Sequence, residues 1–176
     1  IVLDPRDPDI IIAASYQRRR HVWTLVNGGP ETAIYKSTDG GKTFKKSQRG
    51  LPSVDLGRIG LAISPVDPDV VYAIVEAAEG QDGFFRSTNL GESWQKMSGH
   101  VSNSPQYYNR IYCDLWDVDK VYSMETVSAI TEDGGRTWSR MNRRGKHVDD
   151  HAFWINPNDP NHYMIGSDGG IYESFD

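Results

Sequence analysis

The chain has 176 residues, enough for one domain with a sizeable core. Its 38% hydrophobic and 11% aromatic content exceeds that of a disordered linker, and 17 glycines with 9 prolines indicate many tight turns between short strands. The net charge of −5 arises from interspersed signs, which excludes a basic nucleic-acid-binding stripe, and no apolar run is long enough to span a membrane as a helix.

In chain order, the first unit opens on Leu3-Asp4-Pro5-Arg6-Asp7-Pro8-Asp9, a Pro/Asp turn that leads into the β-rich run Ile10–Ala14. A long variable segment, Tyr16 to Pro30, follows. It carries the only dense basic run, Arg18-Arg19-Arg20, together with His21, Trp23 and Asn27. The unit ends on Ser37-Thr38-Asp39-Gly40-Gly41-Lys42-Thr43-Phe44. The second unit repeats the scheme. Its strand alternates Ile59-Leu61-Ile63, then come the turn Ile63-Ser64-Pro65-Val66-Asp67-Pro68-Asp69, the run Val70–Val75 and the octapeptide Ser87-Thr88-Asn89-Leu90-Gly91-Glu92-Ser93-Trp94.

The third unit has Ile111-Cys113-Leu115, a degenerate turn Leu115–Lys120 without prolines, the run Val121–Met124 and Thr131-Glu132-Asp133-Gly134-Gly135-Arg136-Thr137-Trp138. The fourth has His151-Phe153-Ile155, the turn Ile155-Asn156-Pro157-Asn158-Asp159-Pro160-Asn161, the run Tyr163–Ile165 and an octapeptide start at Ser174-Phe175-Asp176. The octapeptides begin 50 and then 44 residues apart.

A unit of strand A, Asp-Pro turn, strand B, variable loop, strand C, octapeptide turn and strand D predicts an all-β fold. It is a β-propeller fragment of about three and a half four-stranded blades. The predicted divisions are residues 1–52, 53–101, 102–145 and a partial blade over 146–176, all in one incomplete propeller domain. The octapeptide has a structural logic of its own. Gly41, Gly91 and Gly135 supply positive φ, and Asp39, Asn89 and Asp133 bond backbone amides with the hydroxyls of Ser37, Ser87 and Thr131. Phe44, Trp94 and Trp138 pin the turn by burying a ring beneath it.

These octapeptides resemble the Asp-box (bacterial neuraminidase repeat) superfamily of β-propellers. Asp150–Pro157 through Gly166–Tyr172, and Gln17–Arg20 followed by Gly29-Pro30-Glu31, are similar to its sortilin-like members, often described as bacterial glycosyl hydrolases. The resemblance implies a propeller and leaves function open among hydrolases, sorting receptors and assembly factors for membrane complexes. It also implies an extracellular, periplasmic or cell-envelope location.

Strand order places the Asp-Pro and octapeptide turns on one face and the B–C and D–A loops on the other, around the channel mouth. The candidate ligand-binding residues are therefore Arg18, Arg19, Trp23, Arg58, Tyr108, Arg110, His147, Asp150 and His151, with Arg20, Tyr107 and Asn109 beside them. The cluster His147-Val148-Asp149-Asp150-His151 matches no specific zinc spacing, so no metal and no cofactor are expected. Asp149 and Asp150 are weak catalytic candidates, because neighbours on an extended chain point to opposite sides. Cys113 reads as a buried structural thiol. The expected role is a non-catalytic binding or scaffolding propeller with a protein, peptide or glycan ligand, completed by further blades of the parent chain or another subunit. A glycoside hydrolase with residues on other blades is the alternative, and an assembly factor a second one.

Overall fold

The computed structural model describes residues 1–141 and 144–175. Four antiparallel sheets follow one another along the chain. The first holds β1 (Val2–Asp4), β2 (Asp7–Ala14), β5 (Ile34–Ser37) and β6 (Lys45–Lys46), with a separate hairpin of β3 (Arg18–His21) and β4 (Thr24–Asn27) inserted between β2 and β5. The second holds β7 (Leu56–Ile63), β8 (Val71–Ala77), β9 (Gly83–Ser87) and β10 (Gln95–Ser98). The third holds β11 (Arg110–Cys113), β12 (Val121–Met124), β13 (Ala129–Thr131) and β14 (Ser139–Arg140). The last described sheet is β15 (Asp150–Ile155), β16 (Tyr163–Ser167) and β17 (Gly170–Ser174). In each sheet the strands are hydrogen-bonded in chain order, which is the meander of a propeller blade. The predicted octapeptide start at Ser174–Asp176 reaches Asp176, which lies outside the described residues.

The core lies between blades, because each central strand is apolar on both faces. In β8 the side chains of Val71, Ala73 and Val75 pack with Ile12 and Ile34 of the first blade. The alternate side chains, Tyr72 and Ile74, together with Val70 just before the strand, pack with Ile111, Cys113 and Val121 of the third. This two-sided burial explains why Val70–Val75 is a continuous apolar run rather than an alternating one. Tyr122 and Met124 repeat the arrangement toward Phe153, Ile155 and Ile165 of the fourth blade. Cys113 lies inside this packing, and burial pushes its thiol up to about 12, so it is inert.

The Asp-Pro turns are one structure used four times. Asp4, Ser64, Asp114 and Asn156 each accept, on a side-chain oxygen, the amide two residues on. Asp7, Asp67, Asp117 and Asp159 then do the same for Asp9, Asp69, Asp119 and Asn161. The copy without prolines, Leu115–Lys120, therefore keeps its shape, because side-chain acceptors rather than proline rings hold the turn.

The octapeptide turns dock on these turns. The amides of Gly40, Leu90 and Gly134 donate to the carbonyls of Asp9, Asp69 and Asp119 at 3.0, 2.8 and 2.8 Å. Within the third octapeptide, Thr131 Oγ1 accepts the Gly135 amide at 2.9 Å and donates to Asp133 Oδ1 at 2.8 Å. Asp133 also accepts the Thr137 amide and hydroxyl. These bonds hold the Asp39 and Asp133 carboxyls down at about 2, so both carboxylates are committed to their own turns.

The aromatic residue behaves differently from expectation in one copy. Trp94 is 5% exposed and its indole N–H donates to Ser47 of the preceding blade at 2.8 Å. Trp138 reaches Ser98 of its own preceding blade in the same way, at 3.2 Å. Phe44 is 44% exposed, because its burial requires a neighbouring blade and no described sheet covers that side. The ring is thus an inter-blade wedge as much as a pin for its own turn.

Candidate functional site

The B–C and D–A loops gather on the face opposite the octapeptide turns, and the inserted hairpin dominates them. Arg18 to His21 pair with Thr24 to Asn27 in register, leaving Val22 and Trp23 at the tip, 100% and 81% exposed. His21 stacks on Trp23 with ring centroids 5.3 Å apart. The base of the hairpin is fixed. The Gly29 amide donates to the Leu56 carbonyl at 3.0 Å, where β7 begins. Gly28, at φ 140°, lies so close that a Cβ there would sit 2.6 Å from the Leu56 oxygen. Only glycine suits that position.

A chain of side chains ties the same base to the second blade. Tyr16 donates its hydroxyl to Asn27 Oδ1, and Asn27 Nδ2 donates to Glu76 Oε1 at 2.6 Å. Glu76 Oε2 accepts the Arg58 amide at 2.7 Å. Burial pushes the Glu76 carboxyl upward, opposed by these two bonds. Glu76 ends the apolar run of β8, and a carboxylate closing such a run was the one sequence signal that marked it. Sequence reasoning passed over it, and over the partner roles of Tyr16 and Gln106.

Beside this anchor lies a cavity of about 350 Å³ lined by Tyr16, Arg18, Arg58 and Gln106, with Ala14 and Ile59. Arg58 is half-buried and its Nη1 donates to the Gln106 carbonyl at 2.9 Å. Burial lowers its pKa first, then the neighbouring Arg110 and Arg18 charges. Arg110 itself is exposed and donates to the His151 carbonyl at 2.9 Å. The fold thus brings Arg18, Arg58 and Arg110 into one positive field. Arg19 is exposed on β3 and does not line the cavity, and Trp23 stands out at the hairpin tip. Arg20 lies over the Tyr107 ring at 5.9 Å, joining the hairpin to the loop before β11.

A second cluster forms at the seam of the third and fourth blades. Tyr108, 8% exposed, donates its hydroxyl to Asp149 Oδ1 and stacks on the His151 ring at 5.1 Å. His151 Nε2 faces Asp168 Oδ1 at 3.1 Å. The Tyr108 bond holds the Asp149 carboxyl below its usual range. Asp150, 1% exposed, turns inward and accepts from Ser128 Oγ at 2.6 Å and from the Lys146 ammonium at 2.5 Å. His147 is exposed and its Nδ1 lies 2.7 Å from the Val148 carbonyl. Asn109, at φ 59° and 1% exposed, is structural: its Nδ2 donates to the Arg58 carbonyl at 2.9 Å. Among the described residues no group of three His, Cys, Asp or Glu side chains is placed to hold a metal ion. Among the same residues no helix is long and apolar enough to cross a membrane.

No protein-family profile and no curated protein matches the chain. Solved structures do. The GH74 enzyme of Niastella koreensis superposes with a TM-score of 0.63 at 18% identity, over 97% of this chain and 27% of that one. An ancestral GH74 enzyme gives 0.65 at 15% identity, over 99% of this chain and 22% of that one. YCF48 bound to D1 peptide gives 0.52 at 16% identity, over 82% of this chain and 43% of that one. The chain therefore spans about a quarter of the length of these GH74 enzymes. At these identities the likeness is one of fold, and the fold is a run of β-propeller blades.

Proposed function

We propose that the chain is the ligand-holding part of a non-catalytic binding propeller, which takes a peptide, protein or glycan on its mouth face. The observation that carries this reading is the anchored hairpin. Its base is locked to β7 and Glu76, while its tip presents Trp23 and Val22 to solvent. Exposed aromatic side chains on a rigid support bind with little ordering cost. The fold accommodates such a role, since YCF48 in its solved structure is bound to D1 peptide.

Glycoside hydrolysis is the second reading, as in the GH74 enzymes that share the fold. It is favoured by Asp149 and Asp168, which flank the Tyr108–His151 stack on one rim. Hydrolysis requires one carboxyl kept protonated near neutrality as the acid. The Tyr108 hydrogen bond holds the Asp149 carboxyl below its ordinary range, so that environment does not supply the acid. Both readings meet one experiment. Oligosaccharide and peptide arrays are probed with the chain and with Trp23→Ala, and released reducing sugar is assayed in parallel. Binding weakened at least tenfold by Trp23→Ala without sugar release is the expected result. Sugar release abolished by Asp149→Asn or Asp168→Asn would overturn it in favour of hydrolysis.

A further inference from the structure

We infer that the hairpin tip, Val22 and Trp23, seats the mouth face on the surface of an anionic lipid bilayer, resting in the headgroup layer without crossing it. This goes beyond the binding reading above, whose ligand is a peptide, protein or glycan.

The strands β3 and β4 pair with each other and with no other strand, so the hairpin stands clear of the blades. Four residues per strand carry the tip about 13 Å from the base. Val22 is 100% and Trp23 81% exposed at that tip, with Leu25 and Val26 at 42% each behind them. Apolar side chains held this far out gain nothing from the fold, and together they mark a contact with something beyond it. The base is locked through Gly29 and Asn27, so docking the tip costs little order.

Charge selects the surface. The chain carries −5 overall, yet residues 17–30 hold three arginines and no carboxylate. Among the described residues none of Arg18, Arg19 and Arg20 forms an ion pair. An anionic surface therefore attracts the hairpin, repels the rest of an acidic chain and turns the molecule tip-first. The register sets Arg20 opposite Leu25 and Arg19 opposite Val26, so each face of the hairpin carries an arginine beside an aliphatic side chain. A folded protein partner would read one face. A headgroup layer surrounds the tip and takes both, burying aliphatic stems while the guanidinium groups reach phosphates. The Trp23 ring, stacked on His21 at 5.3 Å, is the amphipathic aromatic that settles at that depth.

The test is co-sedimentation of the full chain with vesicles of phosphatidylcholine alone and of phosphatidylcholine and phosphatidylglycerol in equal parts. The anionic vesicles are expected to bind it at least tenfold more tightly, and to lose severalfold between about 0.05 and about 0.5 M salt as the charges are screened. Val22→Asp, at a fully exposed position that leaves the blades intact, is expected to weaken binding at least tenfold. Arg19→Gln combined with Arg20→Gln is expected to abolish the preference for anionic vesicles. Lipids brominated near the headgroup should quench an emission component that Trp23→Phe lacks. No binding to the anionic vesicles, equal binding to both kinds, or binding unchanged in Val22→Asp each overturns the inference. Quenching identical in Trp23→Phe overturns it in favour of a purely electrostatic contact. Peptide and oligosaccharide arrays probed with the same samples keep the two readings apart. Array binding without vesicle binding leaves the binding reading standing and sinks the lipid contact, and vesicle binding without array binding does the reverse.

Discussion

At the scale of single residues, the repeated turn shows which atoms matter. Asn89 replaces the aspartate of the second octapeptide. Its Oδ1 accepts from Ser87 Oγ and the Ser93 amide, and its Nδ2 donates to Ser93 Oγ at 2.8 Å. The turn thus needs an acceptor in that place more than a charge. Asp133→Asn is therefore expected to retain most of the melting temperature at pH 7, and Asp133→Ala to lose considerably more. The folded-state carboxyl lies at about 2, below its ordinary 3.8, so the charge contributes fully above 3.8 and its contribution is lost as pH falls toward 2. Asp133→Asn should flatten that acid limb in thermal melts.

Leu90 poses an opposite question, since at φ 54° it stands where the other copies have Gly40 and Gly134. A left-handed non-glycine residue costs about 1–2 kcal/mol, whereas burying a leucine gains about 1.5–3 kcal/mol. Leu90 is 9% exposed, packed in the seam of the first two blades, and burial wins. Leu90→Gly is accordingly expected to destabilise by about 1 kcal/mol in denaturant titration despite relaxing the backbone.

His100 gives the molecule its clearest pH response. It stacks on Trp138 at 3.8 Å with Nε2 buried and unpartnered, and burial lowers its pKa to about 4 from 6.5. The neutral ring is the folded form, so stability is complete above 6.5 and declines as pH falls toward 4. That decline amounts to about 3 kcal/mol, and His100→Phe should remove most of it.

At the scale of elements, the hairpin separates stability from binding. Its two strands are held to each other and to β7, and its own side chains are mostly exposed. Gly28→Ala forces a Cβ into the Leu56 carbonyl and should release the hairpin base. Ligand binding should then fall at least tenfold, while the melting temperature changes by only a few degrees, on the order of a 1 kcal/mol loss. A variant that loses both would place the hairpin in the folding core.

The hairpin was also the element least legible beforehand. Arg-Arg-Arg-His has no apolar alternation, because β3 buries neither face and is formed by backbone pairing alone, so Tyr16–Pro30 read as a loop. The blades were legible for the converse reason. Val70–Val75 and Val121–Met124 are apolar because blades cover both faces, and the octapeptides recur because each must satisfy the same amides. At the site, the alternation rule assumed an extended chain through Asp149 and Asp150, whereas Asp149 stands at φ 67° just before β15. The rule could not foresee that Lys146 pairs with Asp150 across the turn, or that Glu76 serves the first blade, since both depend on residues brought together by folding.

At the scale of the whole molecule, stability is a property of seams. The blade sheets pack on their neighbours, and among the described residues only the inserted hairpin reaches past the second blade, to Tyr107, so the sheets behave as a one-dimensional array whose coupling lies in the wedge residues and the apolar contacts around them. Of the ion pairs that cross the turn face, Arg6–Asp69 at 2.7 Å is largely exposed and contributes little beside these wedges, whereas Arg86–Asp119 at 2.9 Å is part-buried and belongs to the seam. The decisive contact between the second and third blades is Trp138. It stacks on His100 at 3.8 Å, meets Phe84 edge-on at 4.9 Å and bonds Ser98 at 3.2 Å. Truncating a tryptophan to alanine costs about 3–5 kcal/mol when fully buried, and Trp138 is only partly buried, so about 3 kcal/mol is expected. In a globular core that loss would spread over the whole domain. In a stack it falls on one seam. Hydrogen exchange on Trp138→Ala should therefore accelerate about a hundredfold at the amides of β12, while those of β2, two blades away, keep their protection. Uniform acceleration across β2 and β12 would show instead that the blades unfold together, and that coupling through β8 outweighs the wedge.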